Sequence, residues 1–172
     1  MIKIINYFLQ SFLIYLFFIA GRILGLNISR KIFSNLFFLI GPFFKTKEII
    51  DNNLNTFSNK ISIDDKNKII NGMWKNYGKT FIEYIFLNYF RKNNSHITVI
   101  GEENLLRITQ KNKPVIFISG HFANFELMAM HLEKTGIELA AIYRPLNNIF
   151  VNKIMENIRK NYICKNQIKK GL

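Results

Sequence analysis

Between Lys3 and Arg22 runs an uncharged stretch of 18 residues, Ile4–Gly21, IINYFLQSFLIYLFFIAG, and it constrains the fold more than any other feature. Coiled as a helix it measures about 27 Å, enough to cross a hydrocarbon core, with Asn6 and Gln10 near one end. A cleaved leader is disfavoured, because the residues that follow, RILGLNISRK, hold no small-x-small cleavage site. Arg22, Arg30, Lys31, Lys45 and Lys47 lie after the run, against Lys3 and the amino terminus before it. That asymmetry places the remainder of the chain in the cytoplasm. A second apolar run, Ile32 to Phe44, is interrupted by Ser34 and Asn35 and meets Gly41-Pro42 near its end. It is too short to span and is expected to lie along the bilayer surface. The competing arrangement is a buried hydrophobic hairpin within a soluble domain.

The chain has 172 residues, which favours one core with an appended membrane segment. A single cysteine, Cys164, excludes an internal disulfide framework and a cysteine-rich zinc site, so it reads as a small buried hydrophobe. No metal or other cofactor is expected. The net charge of +13 comes from 18 Lys and 6 Arg against 11 acids, spread along the whole chain. Abundant Ile, Asn and Lys match the codon bias of an AT-rich genome, which accounts for part of that charge. No zinc finger, RNA-recognition signature or compact arginine cluster supports a nucleic-acid partner. An anionic membrane surface or a phosphorylated substrate fits better.

Three regions follow from the patterning: 1–45 as membrane anchor and interfacial helix, 46–95 as a helical region, and 96–172 as a partial α/β domain. In the second region Ile50, Leu54, Phe57 and Ile61 recur at helical spacing. Asp64-Asp65 then offers a cap for a helix carrying Ile69, Ile70, Met73, Trp74, Tyr77, Phe81, Tyr84 and Ile85 on one broad face. From Ile97 the period changes. ITVI (97–100), PVIFIS (114–119), LAAIY (139–143) and YIC (162–164) read as strands, alternating with helices over 102–110, 124–134 and 148–160. Such alternation predicts β-α-β units on a mostly parallel sheet flanked by helices, with sites at the carboxyl ends of strands. His121 follows PVIFIS and Arg144 follows LAAIY, so both are expected on one sheet edge.

The stretch SGHFANFE (119–126) sets His121 five positions before Glu126. On an ideal helix that spacing turns the two side chains about 140° apart, so they cannot pair in mid-helix. If His121 stays in the loop and the helix starts near Asn124, the loop can fold back toward Glu126 in the first turn. Gly120 gives the backbone freedom for this. A carboxylate on one ring nitrogen fixes the tautomer and leaves the other nitrogen to take a proton. This is the base-and-orienter half of a triad, with the attacking hydroxyl left to the substrate. Arg144, beside Pro145, is placed to grip phosphate or carboxylate in a forked geometry, or to pair structurally with a helix carboxyl end.

SGHFANFE, IYRPLNN (142–148) and MWKNYGKTFIEY (73–84), in this order-specific context, resemble the late (lauroyl/myristoyl-type) lipid A biosynthesis acyltransferase family. The resemblance covers nearly the whole chain. It implies a glycerolipid acyltransferase-like fold with an H-x4-D/E motif at His121 and Glu126, His121 as general base and Glu126 as its orienter. It further implies acyl carrier protein as donor and a hydroxyl on an acyl chain of a Kdo-bearing lipid A precursor as acceptor. Arg144 matches the family's second motif, and Trp74, Asn76 and Gly78 match a signature of structural character. Catalysis is implied at the cytoplasmic face of the cell inner membrane. Members of the family continue past CKNQIKKGL, so the chain is expected to be an N-terminal portion with an open sheet edge. The alternatives are a non-catalytic membrane-associated remnant, a glycerol-phosphate-type acyltransferase, and a small basic membrane-surface binding protein.

Overall fold

The computed structural model describes residues 2–45, 47–58, 60–93, 96–110 and 113–170. The chain divides into two compact units, Leu16–Ile85 and a second formed by Met1–Tyr15 with Phe86–Leu172. Helix α1 spans Ile2–Leu24, covering the uncharged run and a little beyond. Its most apolar window has a mean hydropathy of 1.8 and is only 11% buried, so the helix is long and apolar enough to cross a membrane.

In the Leu16–Ile85 unit, α1 ends at Gly25, whose φ of 76° suits a residue without Cβ, and α2 (Leu26–Ile40) begins directly after it. The buried Ser29 hydroxyl donates to the Gly21 carbonyl at 2.8 Å, satisfying an end group of α1. Helix α3 (Lys47–Phe57) precedes α4 (Ile63–Glu83). Helix α4 is capped by Ser62, not by the aspartates: the Ser62 Oγ accepts from the Asp65 amide at 3.1 Å and donates to its carboxylate at 2.8 Å. Asp64 and Asp65 instead occupy the first turn, where the helix dipole favours them.

The α2–α4 contact explains the tryptophan–glycine signature. A Cβ added at Gly78 would lie 2.1 Å from the Phe33 carbonyl oxygen, and one at Gly41 would lie 2.3 Å from the Trp74 ring. The two backbones therefore approach as only glycine allows. Phe17, Phe18, Phe33 and Phe37 surround Phe81 at centroid distances of 5.3 to 6.5 Å. The run read as a surface helix is thus half core: Phe33 and Ser34 are buried, while Ile32 and Leu39 stay exposed. Glu83, also buried, is neutralised by Arg30 Nε at 2.7 Å.

This packing makes a paired prediction. Gly78→Ala forces a methyl against a carbonyl that no rotamer moves, and should cost about 3 kcal/mol, the upper end for overpacking. Gly72→Ala, on the same helix with nothing within 4 Å, should stabilise by roughly 0.5–1 kcal/mol. Denaturant midpoints of the two variants check this, and equal shifts would contradict the close crossing.

In the second unit, α5 (Leu87–Lys92), α6 (Glu102–Thr109) and α7 (Glu126–Lys134) lead to β1 (Ala140–Tyr143), α8 (Ile149–Tyr162) and β2 (Asn166–Lys169). Leu87, Phe90 and Met130 are fully buried, and Arg91 bridges α5 to Glu133 of α7 at 2.6 Å. Asn148 caps α8, its Oδ1 accepting from the amides of Phe150 and Val151 at 3.1 and 3.2 Å. Strands β1 and β2 pair in parallel, Ala140 opposite Asn166 through Tyr143 opposite Lys169. A parallel pair needs a crossover, and α8 supplies it, making one β-α-β unit of a partial α/β fold.

Several expected boundaries are corrected. ITVI and PVIFIS are not strands: among the described residues neither makes ladder hydrogen bonds. Apolar composition is only half of what a strand requires; the other half is a partner. Here Ile100, Ile116 and Ile118 remain 93%, 87% and 92% exposed. YIC closes a helix instead of forming a strand. Tyr162 is the last residue of α8, and the amides of Ile163 and Cys164 both bond back to the Arg159 carbonyl at 2.9 Å. The apolarity of Ile163 and Cys164 reflects burial in the core below that turn, and the strand begins at Asn166. Helix α7 starts at Glu126 and not at Asn124, because the preceding turn closes by Leu127 N to Asn124 O at 3.2 Å.

Candidate active site

Helix α8 carries Val151, Met155 and Arg159 at intervals of four, one stripe along its core-facing side. Val151 and Met155 fill the core with apolar groups. Arg159 continues the stripe with a cation, which demands a buried acid opposite. That acid is Glu126. Its Oε1 receives Arg159 Nη2 at 2.6 Å and Nε at 2.8 Å, with the two side chains 17% and 7% exposed. Because Glu126 opens α7, its carboxylate is also placed at the positive end of a helix dipole.

His121 lies in the loop before α7, its ring 4.2 Å from that of Phe125 at an interplanar angle of 56°. Between them the chain reverses at Ala123, whose φ of 44° is in the left-handed region. An L-residue there costs on the order of 1 kcal/mol, so the loop is held in a strained fold-back. The cavity above α7 has a volume of about 410 Å³ and is lined by His121, Glu126, Arg144 and Arg159, among others. All three residues singled out in the sequence therefore face one space. Among the described residues Arg144 is exposed and pairs with no acid.

Arg144 is positioned by its neighbour. The Tyr143 hydroxyl donates to Glu156 of α8 at 2.5 Å, and Asn152 Nδ2 donates to the same oxygen at 2.8 Å. Burial, reinforced by that carboxylate, pushes the Tyr143 phenol up to about 12. The same hydrogen bond holds the Glu156 carboxyl below its ordinary range. Strand β1 is thereby fastened to α8 just where Arg144 leaves it. Cys164 is fully buried, its thiol pushed up by burial, and behaves as a core residue.

His121 before a helix whose first residue is a buried carboxylate, with an arginine on the same cavity wall, is an arrangement chemically able to move a proton next to an anion. The bacterial lipid A biosynthesis acyltransferase model matches residues 2–166. The chain belongs to that family. No curated protein and no solved structure matches the chain. Membership makes the protein an acyltransferase acting in lipid A synthesis, and the partial α/β fold agrees with it. Sequence reading of this acyltransferase missed Arg159. The signal was present in the four-residue spacing from Val151, where a cation stands on an otherwise apolar stripe.

Proposed function

We propose that this acyltransferase moves a fatty acyl chain from acyl carrier protein to a hydroxyl on an acyl chain of a Kdo-bearing lipid A precursor. The supporting observation is the convergence of His121, Glu126 and Arg144 on one cavity in a chain of this family. His121 takes the proton of the acceptor hydroxyl as its oxygen attacks the thioester carbonyl. The tetrahedral intermediate collapses with release of the carrier's thiol, to which the imidazolium returns the proton. Ester and thiol are the products, and no atom is left over. Glu126, held by Arg159, orients the imidazole and stabilises its charged form. The exposed guanidinium of Arg144 grips an anionic group of the acceptor.

Arg144 supplies the test. Arg144→Gln should raise KM for the acceptor about tenfold or more, the weight of a hydrogen bond to a charged group, with a smaller change in kcat. An unchanged KM would remove Arg144 from acceptor recognition.

The reading also requires residence at the cell inner membrane, with the site on the cytoplasmic face. Helix α1, apolar and largely exposed, is the anchor. The protein should sediment with membranes and stay there through a high-salt wash, because insertion of apolar surface is not screened as surface charge is. Release by salt alone would contradict anchoring through α1.

A further inference from the structure

Within the second unit, α8 lies along the first half of α1. Asn148 Nδ2 donates to the Tyr7 carbonyl at 2.8 Å and to Gln10 Oε1 at 3.3 Å, and the Phe8 and Phe150 rings meet edge to face at 6.0 Å. Beyond this junction the two helices leave a groove of about 1020 Å³. Phe8, Phe12 and Tyr15 form one wall, at positions i, i+4 and i+7 of a single helix face, and Ile149, Phe150 and Ile154 form the other. Phe8, Phe12 and Ile149 remain 56%, 55% and 59% exposed despite the packing, so apolar surface is left facing the groove.

The charge along the groove is one-sided. Lys153 and Lys160 line it, both exposed, two helical turns apart on α8, and neither has an ion-pair partner among the described residues. The acid among the lining residues, Glu156, is already engaged by Tyr143, Asn152 and Lys169, the last at 3.4 Å. The same helix turns Arg159 to the candidate active site, so the groove and the site use different faces of α8. His121, Glu126 and Arg144 do not line the groove.

We infer that this groove binds one anionic glycerophospholipid of the surrounding membrane, its acyl chains between Phe8, Phe12 and Ile154 and its phosphate on Lys153 and Lys160. Ammonium groups are costly in hydrocarbon, so their position sets the groove, and with it residues 8–15 of α1, at headgroup depth along the membrane surface and not across the bilayer. The lipid there is a bound cofactor of the fold and is distinct from the acyl acceptor. The assignment goes beyond the acyl-transfer reading and does not depend on it.

The experiment uses the full chain in phosphatidylcholine vesicles carrying a trace of phosphatidylglycerol with a photoactivatable acyl chain. Mass spectrometry should find adducts on 8–15 and 149–160, and Lys153→Gln/Lys160→Gln should lower them roughly twenty-fivefold, at about fivefold per lysine. Ile154→Trp fills the groove without changing charge and should abolish the same adducts. Helical circular dichroism equal to that of the parent shows that each variant is folded. Equal labelling by a photoactivatable phosphatidylcholine would overturn the inference. So would adducts spread evenly over Ile5, Leu9, Leu13 and Leu16, which mark lipid around α1 and not lipid in the groove.

Discussion

His121→Ala is expected to lower kcat by on the order of 10²–10⁴, the usual contribution of an aligned general base. The protein should remain as stable as the parent, because His121 is exposed and its ring contact is with Phe125. Loss of rate without loss of fold separates a chemical role from a structural one. On the proposed mechanism Glu126→Gln should also slow transfer, by removing the negative charge that shares the cavity with His121. That variant has a second effect, since it leaves Arg159 buried beside a neutral amide. Its rate therefore has to be read next to its melting temperature.

Arg159→Met is the second large effect, and it falls on stability. Arg159 and Glu126 are both largely buried and 2.6 Å apart. Removing one member of such a pair strands a charge in a poorly solvated place and costs roughly 3–5 kcal/mol. For a chain of this size that lowers the melting temperature by about 6–20 °C. Replacing both members is different: Glu126→Leu with Arg159→Met exchanges a buried ion pair for apolar packing, which is often neutral. The double variant should regain most of the lost stability and none of the activity. Stability loss that simply adds in the double variant would show that the two side chains do not act as a pair.

The parts of the fold that the sequence disclosed are those with a long period. Helix α1 declared itself by 18 uncharged residues, and α4 by an apolar stripe several turns long. Long stripes average over local accidents. ITVI and PVIFIS misled because a short apolar run states only a preference for burial, while a strand exists through hydrogen bonds to another segment. LAAIY had such a partner, in a segment, NQIK, whose polar residues gave no sign of it. Within the site, His121 and Glu126 stood out by residue type and spacing, and Arg144 by its place after an apolar run. Arg159 did not, since a lysine- and arginine-rich chain hides one buried guanidinium among many solvated cations. Its partner is 33 residues away, a relation that only the packing of α7 on α8 creates.

Acyl transfer itself gives the most direct test. The full chain in vesicles is supplied with an acyl-loaded carrier protein and a Kdo-bearing lipid A precursor, and the lipid is weighed by mass spectrometry. The account predicts a gain of one acyl chain on the precursor, absent when the acceptor hydroxyl is replaced by hydrogen and absent in His121→Ala. Acylation of glycerol phosphate in place of the precursor, or transfer that persists without His121, would contradict it.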